Sequence, residues 1–168
     1  MLILGIDPGT ATTGYGLIDA SEKGIEALDF GLIETSKDGD FGKRLIDIHN
    51  QLDFIIKKLN PDIIAMEKLF FATNVKTATN VGRAMGVIIF TCAKRKIDVI
   101  EYAPGTIKKQ ITGNGRADKK DIQRSLRNIF GARIRSKNHK KTHFDNAADG
   151  LAVALCHAYN IYKVEKRG

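Results

Sequence analysis

At 168 residues the chain is long enough for one well-buried domain and short for two. A hydrophobic content of 43% with a net charge of +8 describes a globular protein, and no run of 18 apolar residues offers a membrane span. The first residues lack the charged, apolar and cleavage regions of a signal peptide, so the sequence predicts a cytoplasmic protein of one domain over 1–168.

In chain order, MLILGID is a short apolar run with β character, TGYGLIDA a second strand after a glycine-rich turn, and IEALDFGLIET a third. Three strands joined by short links predict an antiparallel meander. FGKRLIDIHNQLDFIIKKL then sets Leu45, Ile48, Leu52, Ile55, Ile56 and Leu59 at helical spacing, and Asn60-Pro61 ends that helix. DIIAME reads as a short buried strand, 73–96 as a long helix and IDVIEY as a fifth strand. A basic region opening at Pro104 holds one helix before the sequence GNG and another over 117–130. The polar stretch GARIRSKNHKKTH has no periodicity and reads as a loop, followed by a last helix over 144–162. The order βββ-α-β-α-β-α-α-α predicts an α/β fold: a mixed five-stranded sheet with helices on both faces.

The charge is lopsided. Between Lys108 and Lys141 lie twelve Lys or Arg and two acids, Asp118 and Asp121; the rest of the chain is nearly balanced. Such a concentration favours a polyanionic partner, and a phosphate backbone is the usual one. Cys92 and Cys156 sit in apolar runs without a second Cys or His at ligand spacing, which predicts reduced core thiols. The long helix with Met85, Val87, Ile88, Ile89 and Phe90 is apolar nearly all round, suiting core packing plus a dimer interface.

Three acidic positions stand out. Asp7 ends an apolar strand in GIDPGTATTGYG, where Pro8-Gly9 stops the strand and lets the carboxylate emerge at its tip. Taken alone it also reads as a turn former. Glu67 ends the apolar strand DIIAME, and FDNAADGLAVALCHA opens an Ala-rich helix with Asp145, Asn146 and Asp149 on neighbouring turns. Strand-end acids and helix acids converge only where strands and helix meet, and carboxylates so close repel unless cations fill the site. Oxygen ligands without Cys or His select hard ions, Mg²⁺ or Mn²⁺. Two such ions about 4 Å apart activate water and steady the leaving oxygen in phosphodiester cleavage. With the basic region, the pattern points to a metal-dependent nuclease.

The segments GIDPGTATTGYG, MEKLFFATN, VGRAMGV, IKKQITGNGRADKK and AADGLAVALCHA occur in an order that resembles the bacterial RuvC Holliday-junction resolvases over nearly the whole chain. The resemblance implies a ribonuclease-H-like fold and a homodimer that cuts four-way DNA junctions with Mg²⁺, two ions per site, Mn²⁺ substituting. It implies roles in recombination and repair, and a branch-migration motor as partner. By motif position Asp7, Glu67 and Asp149 look like three of the family's four metal-binding acids. Phe70 resembles the aromatic that stacks near the junction crossover, and Lys108 and Lys119 the basic residues beside the scissile phosphate; Lys109 and Arg116 fall in the same basic segment as DNA contacts. One match fails. The fourth ligand position, usually Asp, is Asn146 here, with Asp145 and His143 close by in sequence. An engineered substitution, a natural variant using Asp145 or His143, and an inactive junction-binding homologue all fit that amide. Another ribonuclease-H-like nuclease acting on RNA is the alternative function; the actin-like ATPases, which share a strand-end Asp before Gly-Thr, need a longer chain.

Overall fold

The computed structural model describes residues 1–36, 40–69, 75–131 and 141–162, with only the backbone of 141–146. Five strands, β1 (Leu2–Asp7), β2 (Thr12–Ser21), β3 (Gly24–Glu34), β4 (Ile63–Glu67) and β5 (Val99–Tyr102), form one sheet in the order β3-β2-β1-β4-β5. β1–β2 and β2–β3 pair antiparallel, as the meander predicts, whereas β4 joins β1 and β5 joins β4 in parallel. The helices are α1 (Phe41–Leu59), α2 (Val75–Lys94), α3 (Pro104–Thr112), α4 (Lys119–Phe130) and α5 (Lys141–Ile161). The expected mixed sheet and the element order are both present.

Strand alternation divides the core in two. Leu4, Ile6, Ile64 and Met66 point to the face covered by α1 and α2, where Ile48, Leu52, Ala84 and Ile88 are buried. Ile3, Ile18 and Ala65 point to the other face, under α3, α4 and α5. By the same parity Asp7, two residues beyond Gly5, and Glu67, two beyond Ala65, belong to the α5 side. Both cysteines are buried free thiols, Cys92 against one face and Cys156 against the other.

Element ends follow local chemistry. The Asp40 side chain caps α1 by accepting from the Lys43 amide at 2.9 Å, and Asn60 closes it in a left-handed conformation at φ 46° before Pro61. α4 starts at Lys119 and not at Ala117, because Asp118 and Asp121 form a reciprocal capping box. β5 starts at Val99 and not at Ile97, whose amide bonds the Cys92 carbonyl at 3.1 Å in the turn that ends α2. α2 stops at Lys94, short of the expected Lys96, which turns left-handed at φ 58°. The expected loop over 131–143 is corrected at its end: 141–143 are helical. A turn of helix needs an apolar face only where it packs on a core, so three polar residues give no periodic signal.

α5 lies across β1, β2 and β3. It lies unusually close because three glycines meet: a Cβ on Gly150 would stand 2.6 Å from Tyr15 Cα, and one on Gly16 2.6 Å from the Leu151 amide nitrogen. A Cβ on Gly5 would run into the Gly150 carbonyl. Gly150→Ala therefore forces helix and sheet apart. The better helix propensity of Ala, worth about 1 kcal/mol, does not offset overpacking of about 1–3 kcal/mol against backbone. The expected outcome is a lower thermal midpoint; an unchanged or raised midpoint contradicts the close contact.

Candidate active site

Two strand tips begin the site. Ile6 pairs with Met66 in the parallel β1–β4 ladder, so Asp7 and Glu67 are the next residues on adjacent strands, both at carboxyl ends. In open α/β sheets that end is where ligands bind. The turn after Asp7 is locked by Thr13, fully buried, whose hydroxyl donates to the Gly9 carbonyl at 2.8 Å and accepts from the Gly9 amide at 3.2 Å. Asp149, next to the tightly seated Gly150, brings the third carboxylate from α5.

These acids line one cavity of about 210 Å³ with Lys108 of α3 and Lys119 of α4. Pro104, Ile107, Ile122 and Ala152 form its apolar wall. Ile107 and Ile111 anchor α3 in the core, which turns Lys108 into the cavity, and the capping box fixes α4 with Lys119 as its first residue. The Lys119 Nζ lies 2.9 Å from Asp149 Oδ2, an ion pair in which Asp149 is 22% exposed.

Crowding of acids in a poorly hydrated place holds protons on. Burial pushes the Asp7 carboxyl up to about 6, with the Asp149 charge adding to it and Lys119 opposing. Burial likewise pushes Glu67 up to about 7, reinforced by Asp7 and Asp149 and opposed by Lys108. The donor set around this cavity is carboxylate oxygen without Cys or His, and it carries acids that additional positive charge would help ionise. In chemistry, the residues fit a hard divalent cation. In arrangement they are not a ready cage, since no three His, Cys, Asp or Glu among the described residues stand close enough to hold one ion. The three acids line one cavity, with Asp149 paired to Lys119 and the Asp7 charge acting on the Glu67 carboxyl.

Five of the sequence-predicted residues thus share one cavity. Lys109 and Arg116 are exposed on α3 and on the α3–α4 connection, outside its lining; the Arg116 amide is held by Asn114 Oδ1 at 3.0 Å. Phe70 and the side chains of His143, Asp145 and Asn146 lie outside the described residues. Sequence reading missed the seating of α5 by Gly150 and the direct Lys119–Asp149 pair. The first had a signal, a glycine inside an Ala-rich helix; the second joins residues 30 apart in sequence and had none.

A family model described as "Crossover junction endodeoxyribonuclease RuvC" matches residues 3–157. A protein of that name from Caldicellulosiruptor saccharolyticus is 45% identical over 159 residues, 94% of this chain and 92% of the relative. Another from Chloroflexus aurantiacus is 39% identical over 168 residues, covering 100% and 99%. Among solved structures, T. thermophilus RuvC in complex with a Holliday junction substrate superposes with a TM-score of 0.83 at 26% identity, covering 97% of this chain and 96% of that one.

The raised carboxyls predict a pH dependence. Asp7 is ordinarily near 3.8 and is held near 6 when folded, so its contribution to stability is complete below 3.8 and is lost as pH rises through 6. Asp7→Asn removes that loss. Its thermal midpoint should match that of the parent at pH 4 and exceed it at pH 8, by on the order of 2 kcal/mol in stability. Glu67→Gln should do the same in a window reaching about 7. Equal midpoints at pH 8 contradict the crowded, poorly hydrated cavity.

Proposed function

The chain belongs to the RuvC family of crossover junction endodeoxyribonucleases, and from that premise we propose which of its residues do the work. It is a Holliday-junction-resolving endonuclease of ribonuclease-H-like fold, acting in DNA recombination and repair and dependent on divalent metal. Asp7, Glu67 and Asp149, with Asn146, hold the metal, which we assign as two Mg²⁺ replaceable by Mn²⁺. The observation that carries this reading is one cavity shared by three acids and two lysines, with two of the acids pushed towards neutrality.

Bound divalent metal supplies a low-pKa water and a Lewis-acid hold on the phosphate oxygens. The chain's own residues do the rest. Lys108 and Lys119, aimed at the cavity from two helices, face the scissile phosphate and offset the negative charge that grows there. Lys109 and Arg116, exposed on the same basic segment, hold the DNA backbone, and Phe70 stacks at the crossover. The apolar wall of Pro104, Ile107, Ile122 and Ala152 limits hydration of the acids, so that charges placed there act strongly.

Partners follow from the same reading. The substrate is a four-way DNA junction, and the working form is a homodimer joined through the α1–α2 layer. Ile46 and Phe54 on α1 and Phe90 on α2 are each more than half exposed, and the Phe90 ring lies 6.0 Å from that of His49. Uncovered apolar side chains of that size on two packed helices suit a second copy of the same face. No helix among the described residues is long and apolar enough to cross a membrane, and a cytoplasmic place beside a branch-migration motor fits a DNA-processing role.

Cleavage of a four-way junction, compared with linear duplex and an RNA–DNA hybrid, tests the substrate. Alanine at Asp7, Glu67 or Asp149 should abolish junction cleavage while leaving junction affinity within about twofold, because affinity rests on the basic surface. Retained cleavage by any of the three variants removes that residue from the site.

Asn146 stands where the family usually has Asp. An amide oxygen can coordinate a hard cation but brings no charge, so the set holds its second ion more weakly. Asn146→Asp should raise the Mg²⁺-dependent cleavage rate by about tenfold or more, measured on a junction in single turnover. If the chain already cuts as fast as its Asn146→Asp variant, and Asp145→Asn silences it, Asp145 is the ligand instead.

A further inference from the structure

One partly buried polar contact at the edge of the core has no part in the site described above. The Tyr102 hydroxyl and His157 Nδ1 are 2.7 Å apart, joining the last residue of β5 to α5, with the rings tilted and their centroids 5.8 Å apart. His157 is 5% exposed, and its Nε2 has no hydrogen-bond partner. The contact leaves one ring nitrogen stranded whichever tautomer is present, at a cost to stability. Apolar side chains would fill this space without it, since α5 around His157 is Leu155, Cys156 and Ala158, all buried.

The two ends of the contact locate its use. Tyr102 is paired directly with Glu67 across the β4–β5 ladder, and its carbonyl accepts from the Lys68 amide at 2.8 Å. His157 lies two turns along α5 from Asp149. β5 is a four-residue edge strand, paired only with β4. Its tip therefore has few restraints of its own, and the tip is what flanks Glu67. A hydrogen bond has a direction and a length that apolar packing lacks, so it sets the register between the strand ends and the helix.

We propose that the Tyr102–His157 hydrogen bond is a strut that positions Glu67 against Asp149, tying the β4–β5 tip to the helix that carries the third acid. Tyr102 and His157 are positioning residues: neither lines the cavity, and each acts through Glu67. Burial lowers the His157 pKa, which keeps the ring neutral and its Nδ1 available as the acceptor for the Tyr102 hydroxyl. This inference rests on the metal-binding reading of Glu67 given above.

The test is Mn²⁺ binding by the full chain, followed by water-proton relaxation, which does not depend on cleavage. Tyr102→Phe keeps the ring and removes the hydroxyl; the double variant Tyr102→Phe/His157→Leu also removes the stranded nitrogen. Both should weaken Mn²⁺ binding by roughly fivefold to tenfold. The double variant should do so with a thermal midpoint equal to or above that of the parent, because both polar partners are gone. In a Glu67→Gln background the same double variant should change Mn²⁺ binding no further, since the strut acts through Glu67. Unchanged Mn²⁺ binding, or an equal loss with and without the Glu67 carboxylate, overturns the strut. If Glu67→Gln alone leaves Mn²⁺ binding as in the parent, the metal-site reading has failed, and that result is distinct from failure of the strut.

Discussion

Backbone contact between α5 and the sheet at Gly5, Gly16 and Gly150 is the constraint on which the site depends. Asp149 precedes Gly150 directly, and Asp7 lies two residues beyond Gly5 on the same face of β1. The depth at which the helix sits is therefore also the distance at which its carboxylate meets the strand tips. Side chains between helix and strand at these three positions would hold the acids further apart. Removing three Cβ atoms brings them into one cavity. A packing detail of the core thus decides the electrostatics at its edge.

Those electrostatics work against stability. Burial and mutual repulsion hold protons on Asp7 and Glu67, and Lys119 is drawn to Asp149. Each is what a cluster of acids does beside lysines in a poorly hydrated place. The rest of the fold carries this cost without help from the site: a core on both sheet faces, capped helices, and the Asp53–Arg95 ion pair, with contacts of 2.6 and 2.8 Å, joining α1 to the turn after α2, far from the acids. Strain concentrated at a site and offset elsewhere is the usual sign that the site is kept for its chemistry.

Much of this was legible in the sequence, for identifiable reasons. The strands were readable because apolar runs broken by Pro8-Gly9 and Asn60-Pro61 leave few other conformations, and α1 because its six apolar positions keep one face. Asp7 and Glu67 were legible as candidates only together with the acids of the last helix, because a strand-end acid alone also reads as a turn former. Strand alternation adds that both face the side of Ile3 and Ala65. What could not be read was anything set by approach rather than pattern. Lys119 meets Asp149 only because a capping box fixes where α4 begins. His157 reads in sequence as one polar residue in an apolar helix, and only the fold brings Tyr102 to it. The helical turn at 141–143 was hidden because a polar turn has no period to show.

The sheet separates two tasks by face. α1 and α2 cover one side and leave Ile46, Phe54 and Phe90 exposed. α3, α4 and α5 cover the other side, and they carry every lining residue of the cavity except the two strand tips. The homodimer proposed above, joined through the first layer, would leave the basic helices and the acids of the second uncovered. The same separation keeps the electrostatically costly site away from the packing of α1 and α2: five strands of hydrogen-bonded backbone stand between them.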